Sequence, residues 1–163
     1  MKRFNIILVV SVLCMGFWLG CTDTTFSSDS GTEVTLTHEG FDFSEGKADT
    51  ANYQNSDGET IVWAPDGESH PDYSSGIWWR TYQSDENNGR NQTKDYGIID
   101  LSEVSEAPTV WDVPPHTPLR ANHVFVAKCR DGYVKFKVLE TDTTAGMWPA
   151  QVKYLFSETT QFP

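Results

Sequence analysis

Four histidines follow the first apolar segment of this 163-residue chain: His38, His70, His116 and His123. Imidazole is the side chain best suited to hold a transition metal or move a proton near neutral pH. His70 and His116 sit in Pro-bounded loops, where binding residues concentrate. His123 is in phase with the apolar face of a β-hairpin, at its far end. Two imidazoles beside an aromatic wall could fill both axial positions of a haem. A nearby Lys or Arg would offset the propionate charge. Trp78 and Trp79 are the candidate wall. His70, His116, His123, Trp78 and Trp79 therefore form the candidate ligand set, with haem or another porphyrin as the candidate cofactor. Each histidine taken alone is more simply a polar residue of a surface or strand edge.

Other chemistry is sparse. Lys128, Lys135 and Lys137 share one hairpin face with Arg130, and that register sets Lys128 opposite Lys135, an unfavourable like-charge pair. The face reads either as solvated with acidic neighbours or as a basic patch that contacts an anion. No Gly-x-Ser-x-Gly, His-Glu-x-x-His, phosphate loop or Cys-x-x-Cys is present. Acidic pairs such as Asp42/Glu45 need nothing beyond solvation. The polar loop Gln83 to Lys94 lacks the spacing of a calcium loop. No metal site is assigned, and the chain reads as non-enzymatic.

The first residues have a separate role. Lys2 and Arg3 precede an apolar run from Phe4 to Leu19, then Gly20-Cys21 and a polar stretch. This is the pattern of a secretory leader with a small residue at the cleavage point. The run is just short of the roughly 20 residues that span a bilayer, so an uncleaved anchor is the weaker alternative. Residues 1–20 are the expected leader, 21–33 a Ser/Thr/Asp-rich tether, and 34–163 one domain. With the leader gone, Cys129 is the one thiol outside the candidate lipid site, so no internal disulfide is expected. The net charge of −11 becomes more negative when Lys2 and Arg3 leave. That excess disfavours nucleic acid as a partner. Arg120, Lys128, Arg130, Lys135, Lys137 and Lys153 nevertheless cluster late in the chain.

These residues must be positioned by strands. His123 to Glu140 holds two β-rich runs around Asp131-Gly132. Asp-Gly suits a two-residue turn, which would set Cys129 opposite Val134 and Ala127 opposite Phe136. Alternation puts Phe125, Ala127, Cys129, Val134, Phe136 and Val138 on one apolar face. Ala150, Val152, Tyr154 and Phe156 mark a third strand, which completes a meander. Earlier strands are expected at Val34 to Thr37, Gly40 to Ser44, Glu59 to Trp63, Gly76 to Tyr82 and Asp95 to Leu101, with Ser102 capping a short helical turn. Aromatics on both faces of Gly76 to Tyr82 mean a central strand in the core or a ligand wall. The expected fold is all-β: an antiparallel sandwich or partly open barrel of about seven or eight short strands, closed by the C-terminal three-stranded meander.

The tetrapeptide Trp18-Leu19-Gly20-Cys21 resembles a bacterial lipobox, with Trp18 where Leu is usual. Phe41-Asp42-Phe43-Ser44 with Gly46, the Trp-rich middle strand, Ala107-Pro108 and the hairpin from Val124 to Val138 resemble the HmuY-type lipoproteins over roughly residues 38–156. The resemblance implies a mostly β domain in the bacterial cell envelope, at the outer membrane, anchored through lipid on Cys21. It also implies haem as a ligand of some members, without fixing the histidines here. A different class of function is a surface adhesion or glycan-contact domain that uses Trp78, Trp79 and Tyr82 as a platform. A structural envelope lipoprotein without a small ligand is a third.

Overall fold

Alternating apolar residues pull the chain into strands, and the strands pair into two sheets. The computed structural model describes residues 30–48, 56–62, 76–82, 84, 85, 90–112 and 116–163. In chain order the strands are β1 (Thr32–Leu36), β2 (Phe41–Asp42), β3 (Lys47–Ala48), β4 (Gly58–Val62), β5 (Ile77–Thr81), β6 (Ser84–Asp85), β7 (Arg90–Asn91), β8 (Thr93–Asp95), β9 (Thr117–Pro118), β10 (Val124–Lys128), β11 (Tyr133–Thr141) and β12 (Ala150–Ser157). One five-stranded sheet has the order β1-β12-β11-β10-β8, and the other has β3-β2-β4-β5-β9. Strands β6 and β7 form a small separate ladder within the expected polar loop. All pairings are antiparallel. The two large sheets face each other across a shared apolar core as a sandwich, not a closed barrel.

The core is the expected one. Phe125, Ala127, Cys129, Val134, Phe136 and Val138 are all fully buried in it. Ala150, Val152 and Tyr154 of β12 join them, and Phe156 packs alongside. The opposite sheet contributes Phe41, Phe43, Ile77 and Trp79. Phe43 sits among Trp79, Phe136 and Tyr154 at centroid distances of 5.8, 6.1 and 5.0 Å. Each such side chain contributes about 1.5–3 kcal/mol on burial. The meander is present, and β1 extends it by pairing with β12.

The hairpin register departs from expectation. Lys128 pairs with Tyr133, Ala127 with Val134 and Phe125 with Phe136. Residues 129–132 form a four-residue connection, in which the Cys129 amide donates to the Gly132 carbonyl at 2.9 Å. The Arg130 amide is taken by Asp57 Oδ1 at 2.8 Å, which holds the loop open toward the other sheet. Gly132 is needed for close approach: a Cβ there would lie 2.2 Å from the Ser157 carbonyl oxygen. The register shift is two residues, one full period of the strand, so the buried face is unchanged. Lys128 and Lys135 are consequently not opposite each other.

Three other elements differ. The strand expected at Gly40 to Ser44 stops at Asp42, because Asp42 Oδ1 accepts from Ser44 Oγ at 2.7 Å and the Glu45 amide at 2.9 Å and turns the chain. The strand expected at Asp95 to Leu101 ends at Asp95, and Gly97 at φ +76° leads the backbone away. Asp100, not Ser102, opens the short 3₁₀ turn Leu101–Glu103; its amide donates to Glu103 Oε1 at 2.8 Å.

The outer face of the β1–β8 sheet is also covered. Leu101, Val104, Ala107 and Phe162 pack on Val124 and Val126 as a second apolar cluster. A strap of residues 96–112 and the tail around Phe162 lie where solvent was expected. The tail is tied by the Phe162 amide to the Ser105 carbonyl at 2.9 Å.

Candidate functional site

His123 immediately precedes β10. Its Nδ1 lies 3.0 and 3.1 Å from the two carboxylate oxygens of Asp95 in β8. A carboxylate only accepts, so Nδ1 carries the proton. In the neutral ring Nε2 keeps its lone pair. Asp95 is fixed in turn by the Gly97 amide at 2.7 Å and flanked by Arg120 at 3.7 Å. The His123 ring stacks near Phe125 at 6.2 Å and is 18% exposed. A carboxylate behind an imidazole is how metal-bound histidines are oriented. His116 is partly buried and leads into β9, at the edge of the other sheet. Among the described residues no second imidazole stands against His123, and no group of three or more His, Cys, Asp or Glu could hold a metal ion. His70 and Cys21 lie outside the described residues.

The three lysines each find an internal partner. Lys128 Nζ lies 4.1 Å from the Tyr133 ring centroid and donates to its hydroxyl at 3.0 Å. Lys137 reaches Asp100 of the strap at 3.5 Å. Lys135 is 1% exposed, with Nζ donating to the Val104 carbonyl at 2.9 Å and sitting 5.2 Å from the Phe162 ring. Burial pushes its ammonium below the ordinary lysine value. Lys135 is therefore no surface anion contact, and the strap replaces the solvated or basic face expected there.

Trp78 and Trp79 are 2% and 0% exposed, so neither ring offers a surface platform. Trp79 belongs to the core between the sheets. The carboxylate Asp42 is likewise not a solvated surface acid. It is buried, and Arg130 Nη2 donates to its Oδ2 at 3.1 Å. Burial pushes Asp42 up, but the Glu45 amide, the Ser44 hydroxyl and the Arg130 guanidinium outweigh it and hold the carboxyl below its usual range. Asp57 accepts amides from Phe43 and Arg130, yet burial raises it. Beside it, burial pushes the Cys129 thiol well above its ordinary value, which makes it unreactive. These groups tie the hairpin loop to the other sheet.

Sequence reasoning missed one cluster. Glu59 and Arg80 are cross-strand partners in β4 and β5, and they form an ion pair with Glu59 only 3% exposed. His38, from the turn after β1, places Nδ1 2.9 Å from Glu59 Oε2 and 3.2 Å from the Thr60 carbonyl oxygen. Trp148 packs on the His38 ring at 4.9 Å, and Arg80 lies over Tyr82 at 5.8 Å. The signal lay in the β4–β5 register, which brings Glu59 and Arg80 together on one face. The separation of His38 from Trp148 in the chain concealed the rest.

A cavity of about 210 Å³ is lined by Glu33, Val34, Thr35, Leu139, Gln151 and Val152. It contains no imidazole and is smaller than the roughly 300 Å³ at which ligand clefts begin. No family model, curated protein or solved structure matches the chain.

Proposed function

We propose that the chain is a non-enzymatic lipoprotein of a bacterial cell envelope, held at the outer membrane by lipid on Cys21. One observation carries this reading: the apolar Phe4 to Leu19 run delivers a small residue and then Cys21, shortly before the folded sandwich begins at Thr32. The resemblance of the hairpin to HmuY-type lipoproteins agrees with it. Metabolic labelling with an alkyne fatty acid in a bacterial host tests it. Labelling of the wild-type chain and its loss in Cys21→Ala, with accumulation of the longer precursor, are expected. Equal labelling of both chains contradicts the anchor.

Haem or another porphyrin is the second reading, and the Asp95–His123 pair favours it, because an oriented imidazole with a free Nε2 is a good axial donor. Among the described residues His38, backed by Glu59, is the other imidazole oriented by a carboxylate, and its ring packs on Trp148 rather than against His123. Haemin titration decides the matter. A Soret shift that weakens in His123→Ala supports porphyrin binding, and an unchanged haemin spectrum removes it.

A further inference from the structure

We infer that Trp148, His38, Arg80 and Tyr82, braced from below by Glu59, form a binding site for a neutral saccharide. The site is independent of the lipid anchor and of any porphyrin. It joins three parts of the fold: the turn after β1, the β4–β5 pair and the segment entering β12.

The chemistry of the site is set by Glu59. Its carboxylate is buried and takes both His38 Nδ1 and Arg80 Nη2. Both neighbours of His38 Nδ1, Glu59 Oε2 and the Thr60 carbonyl, are acceptors. Nδ1 is thus the donor, and Nε2 of the neutral ring is left as an acceptor. The guanidinium still has N–H donors beyond the one given to Glu59. The side chains of His38 and Arg80 are 42% and 41% exposed, although Arg80 Nε itself is buried. One acceptor and one donor group side by side match a hydroxyl-bearing ligand, since each hydroxyl both gives and takes a hydrogen bond.

Charge and shape narrow the class. Glu59 cancels Arg80, so the site has little net attraction for an anion. The chain's net charge of −11 opposes anions further. Contacts run from Trp148 to His38, Glu59, Arg80 and Tyr82 in turn, which leaves an aromatic ring at each end of a polar row. Aromatic faces accept the C–H face of a sugar ring while its edge hydroxyls reach polar neighbours. Trp148 is held against His38 by a backbone in the left-handed region at Met147 and Trp148, and by the His38 amide donating to the Met147 carbonyl at 3.0 Å.

The full chain, extracted in detergent, is applied to an array of neutral, sialylated and sulfated glycans. Binding to neutral glycans is expected, with at least a tenfold loss in Trp148→Ala and in His38→Ala. Trp111→Phe, on the other sheet's outer face, should bind as wild type. Thermal melting of each variant checks folding. If Trp148→Ala is unfolded at the assay temperature, the exposed His38→Ala variant decides. No binding, binding to acidic glycans alone, or undiminished binding by folded Trp148→Ala or His38→Ala overturns the assignment.

Discussion

Lys135 is buried beneath the strap, with its ammonium on the Val104 carbonyl. Alternation placed it on the outer hairpin face, and that placement is correct. The sequence pattern gave no sign that the strap would cover it. The buried ammonium is met by the Val104 carbonyl at 2.9 Å, a Pro163 oxygen at 3.5 Å and the Phe162 ring. No Asp or Glu side chain is among these partners, which is weaker compensation than a close carboxylate gives. Its folded-state value lies below the ordinary 10.5, so between the two values the unfolded chain holds more protons. Stability contributed by this group therefore rises with pH across that window and is complete above 10.5. Lys135→Met should be at least as stable as wild type at pH 7, by about 1 kcal/mol. That advantage should shrink as pH approaches 10.5. Chemical denaturation of both chains across this range measures it, and a difference that ignores pH would refute the burial argument.

At the scale of elements, strands were legible where alternation was long. The faces of β10, β11 and β12 follow directly from Phe125, Phe136, Val152 and their neighbours, because side chains alternate with period two. Turns were less legible. Asp131-Gly132 suggested a two-residue connection, but the Arg130 amide is bound by Asp57, far away in sequence, and no local pattern carries that. Gly132 and Gly97 separate the two uses of glycine. Gly132→Ala should cost about 2 kcal/mol or more, because its Cβ meets the Ser157 backbone. Gly97→Ala has open space around it and pays only the left-handed backbone, about 1 kcal/mol. Melting midpoints in the reverse order would mean that the Gly132 contact is not tight.

For the molecule as a whole, the sandwich was legible and the site was not. Two apolar faces of alternating strands can only be buried against each other, so fold class follows from pattern. Sites depend on which strand ends meet. His38, Glu59, Arg80 and Trp148 come from four places in the chain, and no spacing rule links them. His123 was identified from its phase on the hairpin, but its partner Asp95 emerged only with the pairing of β8 and β10. The proposed anchor differs from both, since its signal lies in consecutive residues before the folded domain.

The most direct measurement is the intact mass of the protein recovered from bacterial envelopes. The account predicts a chain that begins at Cys21 and carries the added mass of a diacylglyceryl group. A chain that retains Met1 to Gly20, or that starts at Cys21 without lipid, contradicts it.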